Sequence, residues 1–177
     1  MKFIKISLLN IFILCFSTSN IFGMNIYEQK HFDNWTSCIV SDANIKKVTM
    51  FTSNNTAFLR IDFLKEQYHI LLGTPSTINP QDSDRPIPIS GNIHIDSHIF
   101  SDIRYMYFFE KNFFYVVLAN VNKNIIKKCI NGNYVTFNIN DPFTGKKSIF
   151  PFNFSLYGFS SAYNHAKKLV NKIYKNK

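Results

Sequence analysis

From residue 47 onward the chain alternates apolar and polar side chains in short runs separated by turn residues. Lys47–Thr52 and Thr56–Phe63 are rich in β-branched and aromatic residues, and Asn54-Asn55 between them reads as a turn. In the second run Phe58, Arg60 and Asp62 alternate with Ala57, Leu59, Ile61 and Phe63, the period of two of a half-buried strand. Tyr68–Leu72 predicts a further strand ending at Gly73. Thr74–Pro88, with four prolines and several Asp and Ser, predicts an exposed loop. Asn92–Asp96 alternates again, with Ile93 and Ile95 on one face. Arg104–Phe109 and Phe113–Ala119 flank Glu110-Lys111-Asn112 as a hairpin, and Tyr134–Asn140 and Lys147–Phe154 flank the turn residues 141–145 as a second. About eight short strands with frequent turns predict a sandwich or a barrel.

Two segments carry helical spacing instead. Asn120–Cys129 places Ile125, Ile126 and Cys129 on one face, with Gly132 just beyond. From Ser160 to about Tyr174, residues Ala162, Ala166, Leu169, Val170 and Ile173 form a stripe, with Ser160 expected as N-cap. Lys167, Lys168, Lys172, Lys175 and Lys177 load the C-terminal end, either as an anionic docking site or as a solvated end complementing the helix dipole.

The N-terminus follows a different pattern. Lys2 and Lys5 precede an apolar run, Ile6–Phe16, interrupted by Ser7 and Asn10 and followed by Ser17-Thr18-Ser19. A cationic start, a short apolar core and small residues are the parts of a secretory signal. The run is shorter than the ~20 residues of a bilayer-spanning helix. Cleavage is expected after Gly23, alternatively after Ser19. This leaves one domain, residues 24–177, long enough to bury a hydrophobic core, and no stable membrane span. Export places the chain in the periplasm or outside the cell.

Charge and cysteines narrow the picture further. The chain carries 20 Lys and Arg against 11 Asp and Glu, for a net charge of +9. A positive balance suits anionic partners such as lipid headgroups or cell-surface glycans, although the abundance of Lys, Asn, Ile and Phe also fits an AT-rich coding sequence. Cys15 departs with the signal, leaving Cys38 and Cys129. An even pair in an oxidising compartment is expected to form a disulfide, whose closed loop would contribute ~4 kcal/mol. Buried free thiols are the alternative.

Several motifs resemble those of the invasion-associated locus B family of small exported bacterial proteins. Phe32-Asp33-Asn34-Trp35-Thr36-Ser37-Cys38 is similar to the family opening, in which an aromatic and a tryptophan precede a cysteine. Ile93-His94-Ile95-Asp96 resembles a family strand that ends on Asp before a turn. Tyr115–Leu118, Ile125-Ile126, Asn131-Gly132 and Tyr134–Phe137 follow the family order. Phe154-Ser155-Leu156-Tyr157-Gly158-Phe159 resembles the closing Leu-x-Gly-Phe motif, in which Gly158 lets a strand turn tightly into a helix. The cysteines depart from the pattern: family members often carry two close pairs, and Cys129 stands where they usually have none. The resemblance implies an antiparallel β-sandwich, exported and linked to host-cell invasion. Trp35, Leu156, Gly158 and Phe159 would be its structural motif residues, and it brings no catalytic residues.

Chemistry is sparse. His94-x-Asp96-x-His98 would put three potential metal ligands on one face of a continuous strand; a strand ending at Asp96 would disperse them. No nucleophile elbow, zinc-protease helix or phosphate-binding glycine loop is present. Phe108-Phe109, Phe113-Phe114-Tyr115 and Phe150, Phe152 and Phe154 are interleaved with Arg104, Lys111, Lys146 and Lys147. Such a mixture can stack on nucleic acid or sugar, but in a sandwich half of the rings face the core, and an exported protein is not expected to meet nucleic acid. The expectation is a non-enzymatic binding or auxiliary protein without a cofactor, acting on a protein or host-cell surface. The rival readings are a small periplasmic metal protein or enzyme centred on His94, Asp96 and His98, and a periplasmic inhibitor or immunity-like protein.

Overall fold

The computed structural model describes residues 24–42, 45–64, 67–75, 86–110, 113–119, 121–140 and 152–174. The expected signal peptide, most of the proline-rich loop, the 141–145 turn, and Lys111, Lys146, Lys147, Phe150, Lys175 and Lys177 lie outside these residues.

The described strands are β1 (Met24–Phe32), β2 (Trp35–Asp42), β3 (Ile45–Ser53), β4 (Phe58–Leu64), β5 (Gln67–Pro75), β6 (Ile87–Ile95), β7 (His98–Glu110), β8 (Phe113–Leu118), β9 (Tyr134–Ile139) and β10 (Phe152–Ser155). Helix α1 (Lys123–Asn131) lies between β8 and β9, and α2 (Phe159–Tyr174) follows β10. The strands form one open antiparallel sheet in the order β1-β2-β3-β4-β5-β8-β7-β6-β9-β10. The mainly β, sandwich-like architecture with a short helix and a C-terminal helix is therefore present, with ten strands in place of about eight.

A flat sheet of this width would leave its apolar face wet. Here its two ends approach one another: Trp35 Nε1 in β2 donates to the Ser155 carbonyl in β10 (3.0 Å), and Asn54 Nδ2 donates to the Asn153 carbonyl (2.8 Å). Alternation then sends one set of side chains inward, so that Val48, Leu59 and Ile70 from the first five strands share a core with Ile93, Phe137 and Phe154 from the others. Helix α2 lies across β1–β3 and packs against α1, presenting buried Ala162, Ala166, Leu169 and Val170.

Two of the ten strands, β1 and β2, were not anticipated. Residues 25–31 of β1 are mostly polar and largely exposed because β1 is the sheet edge. A register shift between Tyr27 and Lys30, with Glu28 at φ 50°, breaks its pairing and blunts the edge. The second helix also starts one residue before the expected Ser160 cap. Gly158, at φ +87°, makes the turn, and the Ala162 N–H donates to the Gly158 carbonyl (3.0 Å). At α1 the cap is Asn122, whose side chain accepts from the Asn124 N–H (2.9 Å).

Candidate functional site

The β6–β7 turn carries the three potential metal ligands, and it separates them. His94 sits in β6 between inward-facing Ile93 and Ile95, so its ring takes the outer face of the sheet. Asp96 occupies the turn at φ 50°. Its carboxylate accepts from the backbone N–H groups of Asn133 (3.0 and 3.2 Å) and Tyr134 (3.1 Å), which ties the end of β6 to the start of β9. His98 opens β7 opposite Ile95 and therefore shares its face, where its Nε2 lies 2.6 Å from Lys128 Nζ of α1. The turn defeats the expected alternation, and the three side chains are not brought together. Among the described residues no group of three His, Cys, Asp or Glu is placed to hold a metal ion.

The expected Cys38–Cys129 disulfide is not formed; both residues are buried free thiols. The reason is topological. In β2, Trp35 and Ile39 point into the core, so Cys38 takes the opposite face of the sheet, whereas Cys129 enters the core from the buried face of α1. Burial pushes both thiols up to about 12, reinforced by Asp62 for Cys38 and by Asp96 for Cys129. A thiol held in that state is a poor nucleophile at neutral pH.

The closing motif is a packing seam. Leu156 and Phe159 are buried, and Phe159 meets the Trp35 ring edge-on, with centroids 4.8 Å apart and planes at 87°. The Leu156 N–H donates to the Asn133 carbonyl (2.7 Å) and the Phe159 N–H to the Leu156 carbonyl (2.9 Å). A Cβ on Gly158 would collide with the carbonyl oxygen of Phe32 and lie 3.0 Å from Asp33 Cβ. Trp35, Leu156, Gly158 and Phe159 thus join the two ends of the sheet to α2.

Two polar clusters were not read from the sequence. Ser37 Oγ lies 2.7 Å from Nδ1 of His165, 128 positions away in the chain, so no local spacing announces the pair. It has the outline of a nucleophile and its base, but Ser37 is fully buried. The His165 ring packs on Phe32 (5.5 Å); burial first, then Lys30 and Lys168, hold its pKa below the ordinary value, with Glu28 opposing. On the outer face, Asp62 Oδ2 accepts from Lys47 Nζ (2.8 Å) and Arg60 NH2 (3.1 Å). The period-two spacing of Arg60 and Asp62 was visible in the sequence; the approach of Lys47 depended on strand pairing.

The aromatic residues divide by alternation. Phe152 and Phe154 are core residues, and Phe109 and Phe114 pair on the inward side (5.2 Å). On the outer side Phe108 stacks on Tyr115 (5.1 Å, 20°) and Phe113 on Tyr115 (5.9 Å, 26°), with Phe58 angled against the group. The Phe58 ring lies over Gly73, filling the space that a side chain there would occupy. Met106 is exposed nearby, one strand from Val117.

No family model and no curated protein matches the chain. Among solved structures it is similar to invasion associated protein B from Bartonella henselae, with a TM-score of 0.57 at 14% identity, over 80% of this chain and 96% of that one. At that identity the likeness is one of fold, a distant structural relationship.

Proposed function

We propose that this chain is an exported, non-enzymatic auxiliary protein that acts through contacts of its surface with a protein or a cell surface. The observation that carries the reading is the use to which the reactive side chains are put. Both cysteines are buried with raised pKa values, the Asp96 carboxylate is held by backbone amides, and Ser37 of the Ser37–His165 pair is fully buried. The outer face of the sheet, in contrast, holds half-buried aromatic residues of the kind that serve contact. The fold likeness to invasion associated protein B supports an auxiliary role, and the cationic, apolar, small-residue order of residues 1–23 supports export. No helix among the described residues is long and apolar enough to cross a membrane.

The test of export is a fusion of residues 1–42 to a phosphatase reporter that is active only outside the cytoplasm. Reporter activity that disappears when Ile11 and Leu14 are changed to Asp supports the reading. An inactive fusion that accumulates intact in the cytoplasm contradicts it.

A further inference from the structure

The charged side chains of the two helices are all basic. Helix α1 carries Lys123, Lys127 and Lys128, and α2 carries Lys167, Lys168 and Lys172; neither contains an Asp or Glu. They pack on one another. The start of α1 is tied to the second turn of α2 through Tyr68, whose carbonyl accepts from Val121 and whose hydroxyl lies 2.9 Å from that of Tyr163. Gly132, just after α1, adjoins the Leu156 side chain, just before α2, so the end of α1 lies close to the start of α2. Of the nearby carboxylates, Glu28 pairs with Lys172 (2.7 Å) and Asp96 is held by backbone amides, while Asp33 lies beside Gly158 at the start of α2. Among the described residues Lys127, Lys167 and Lys168 make no ion pair.

A second observation concerns the end of this layer where α1 stops and α2 begins. Tyr134 and Tyr157 are 57% and 68% exposed, and both flank Ser155: Tyr134 is its partner in the sheet, and the Tyr157 N–H donates to its hydroxyl. Two of the five exposed large apolar side chains among the described residues therefore lie at this end of the basic layer.

We infer that the α1–α2 layer is a peripheral docking surface for an anionic phospholipid bilayer. The reading rests on the exported, surface-acting role proposed above. The charges are lysines, which act as point charges and not as the rigid forks that select one phosphate geometry. They lie on outward-facing helices, not in a cleft, which suits a field of many mobile headgroups. Tyrosine at the margin has the amphipathic character of side chains that settle at a lipid–water interface. No helix is inserted: attraction to the negatively charged surface holds the protein, and salt weakens it.

Sedimentation of the purified protein with vesicles tests this. One set is phosphatidylcholine alone, the other an equal mixture of phosphatidylcholine and phosphatidylglycerol. The protein partitions onto the mixed vesicles and not the neutral ones, and added salt releases it. Each lysine near the surface contributes about 5-fold, so Lys127→Gln with Lys168→Gln lowers partitioning about 30-fold. Lys46→Gln, at an exposed position on β3, leaves it near the original value, and Tyr157→Ala weakens it. Equal partitioning onto both vesicle types, or equal loss from the Lys46 change and the helix double change, overturns the inference. So does release by inorganic phosphate at matched ionic strength, which would assign the lysines to a discrete phosphate site. An active export reporter together with no vesicle binding removes this inference and leaves the broader function standing; an inactive reporter removes that broader function.

Discussion

Replacing Gly158 by alanine adds a single methyl group to the seam between the ends of the sheet and α2. Two costs follow. At φ +87° an L-residue loses about 1–2 kcal/mol relative to glycine, because Cβ crowds its own backbone. The new Cβ would also overlap the Phe32 carbonyl oxygen and sit 2.9 Å from the carbonyl carbon, and these are hairpin backbone atoms with no flexible end to swing away. Moving the hairpin costs about 1–3 kcal/mol by comparison with overpacked cores. The sum, about 3 kcal/mol, is a large share of the 5–15 kcal/mol by which domains are stable, and it corresponds to a midpoint lower by about 6–12 °C. Gly132→Ala is the control. Its φ is −95°, and its Cβ would meet two side-chain ends, Ile95 Cγ2 at 2.8 Å and Leu156 Cδ1 at 3.0 Å, and the Lys128 carbonyl oxygen at 3.1 Å, a looser fit that gives way for about 1 kcal/mol. Thermal unfolding followed by the fluorescence of Trp35, the only tryptophan, reads the seam directly, since that ring packs on Phe159. A Gly158→Ala midpoint no lower than that of Gly132→Ala would refute the reasoning.

Three further outcomes are expected. Trp35→Phe removes the donor to the Ser155 carbonyl and leaves a small cavity, lowering stability by about 2–4 kcal/mol in urea unfolding; a loss below about 1 kcal/mol would mean that the seam does not depend on this side chain. Cys38 and Cys129 resist alkylation in the native protein at pH 8 and both label once it is unfolded without reductant, as read by peptide mass; labelling that requires reductant would show a disulfide. His165 has a folded pKa below its unfolded value, so the unfolded chain binds the extra proton first as pH falls. Stability is therefore full above the unfolded pKa of about 6.5 and declines as pH drops from there toward the folded pKa. His165→Gln flattens that decline in unfolding measurements between pH 7.5 and 5, and an unchanged slope would exclude His165 as its source.

Much of the fold was legible because the determinants are local. The alternation of Phe58 to Phe63 forms β4, the Ile125-Ile126-Cys129 stripe forms the buried face of α1, and Gly158 marks the turn into α2. What was not legible depends on long-range placement. β1 reads as polar because it is an edge, and its status as a strand comes from pairing with β2. The cysteines looked pairable in one dimension, but alternation in β2 sends Cys38 to one face of the sheet while Cys129 sits on the buried face of α1 on the other. The His94, Asp96 and His98 spacing suggested a common face until the turn intervened. The Ser37–His165 contact joins residues 128 positions apart, a separation that only the curled sheet and the docked C-terminal helix can close.

The central claim, that the protein works outside the cytoplasm as a surface-acting auxiliary, is tested most directly by the intact mass of the protein recovered from its native envelope fraction. The recovered chain is expected to begin at Met24, or at Asn20 if the earlier cut is used, with no mass change on reduction. A full-length chain confined to the cytoplasmic fraction would contradict it.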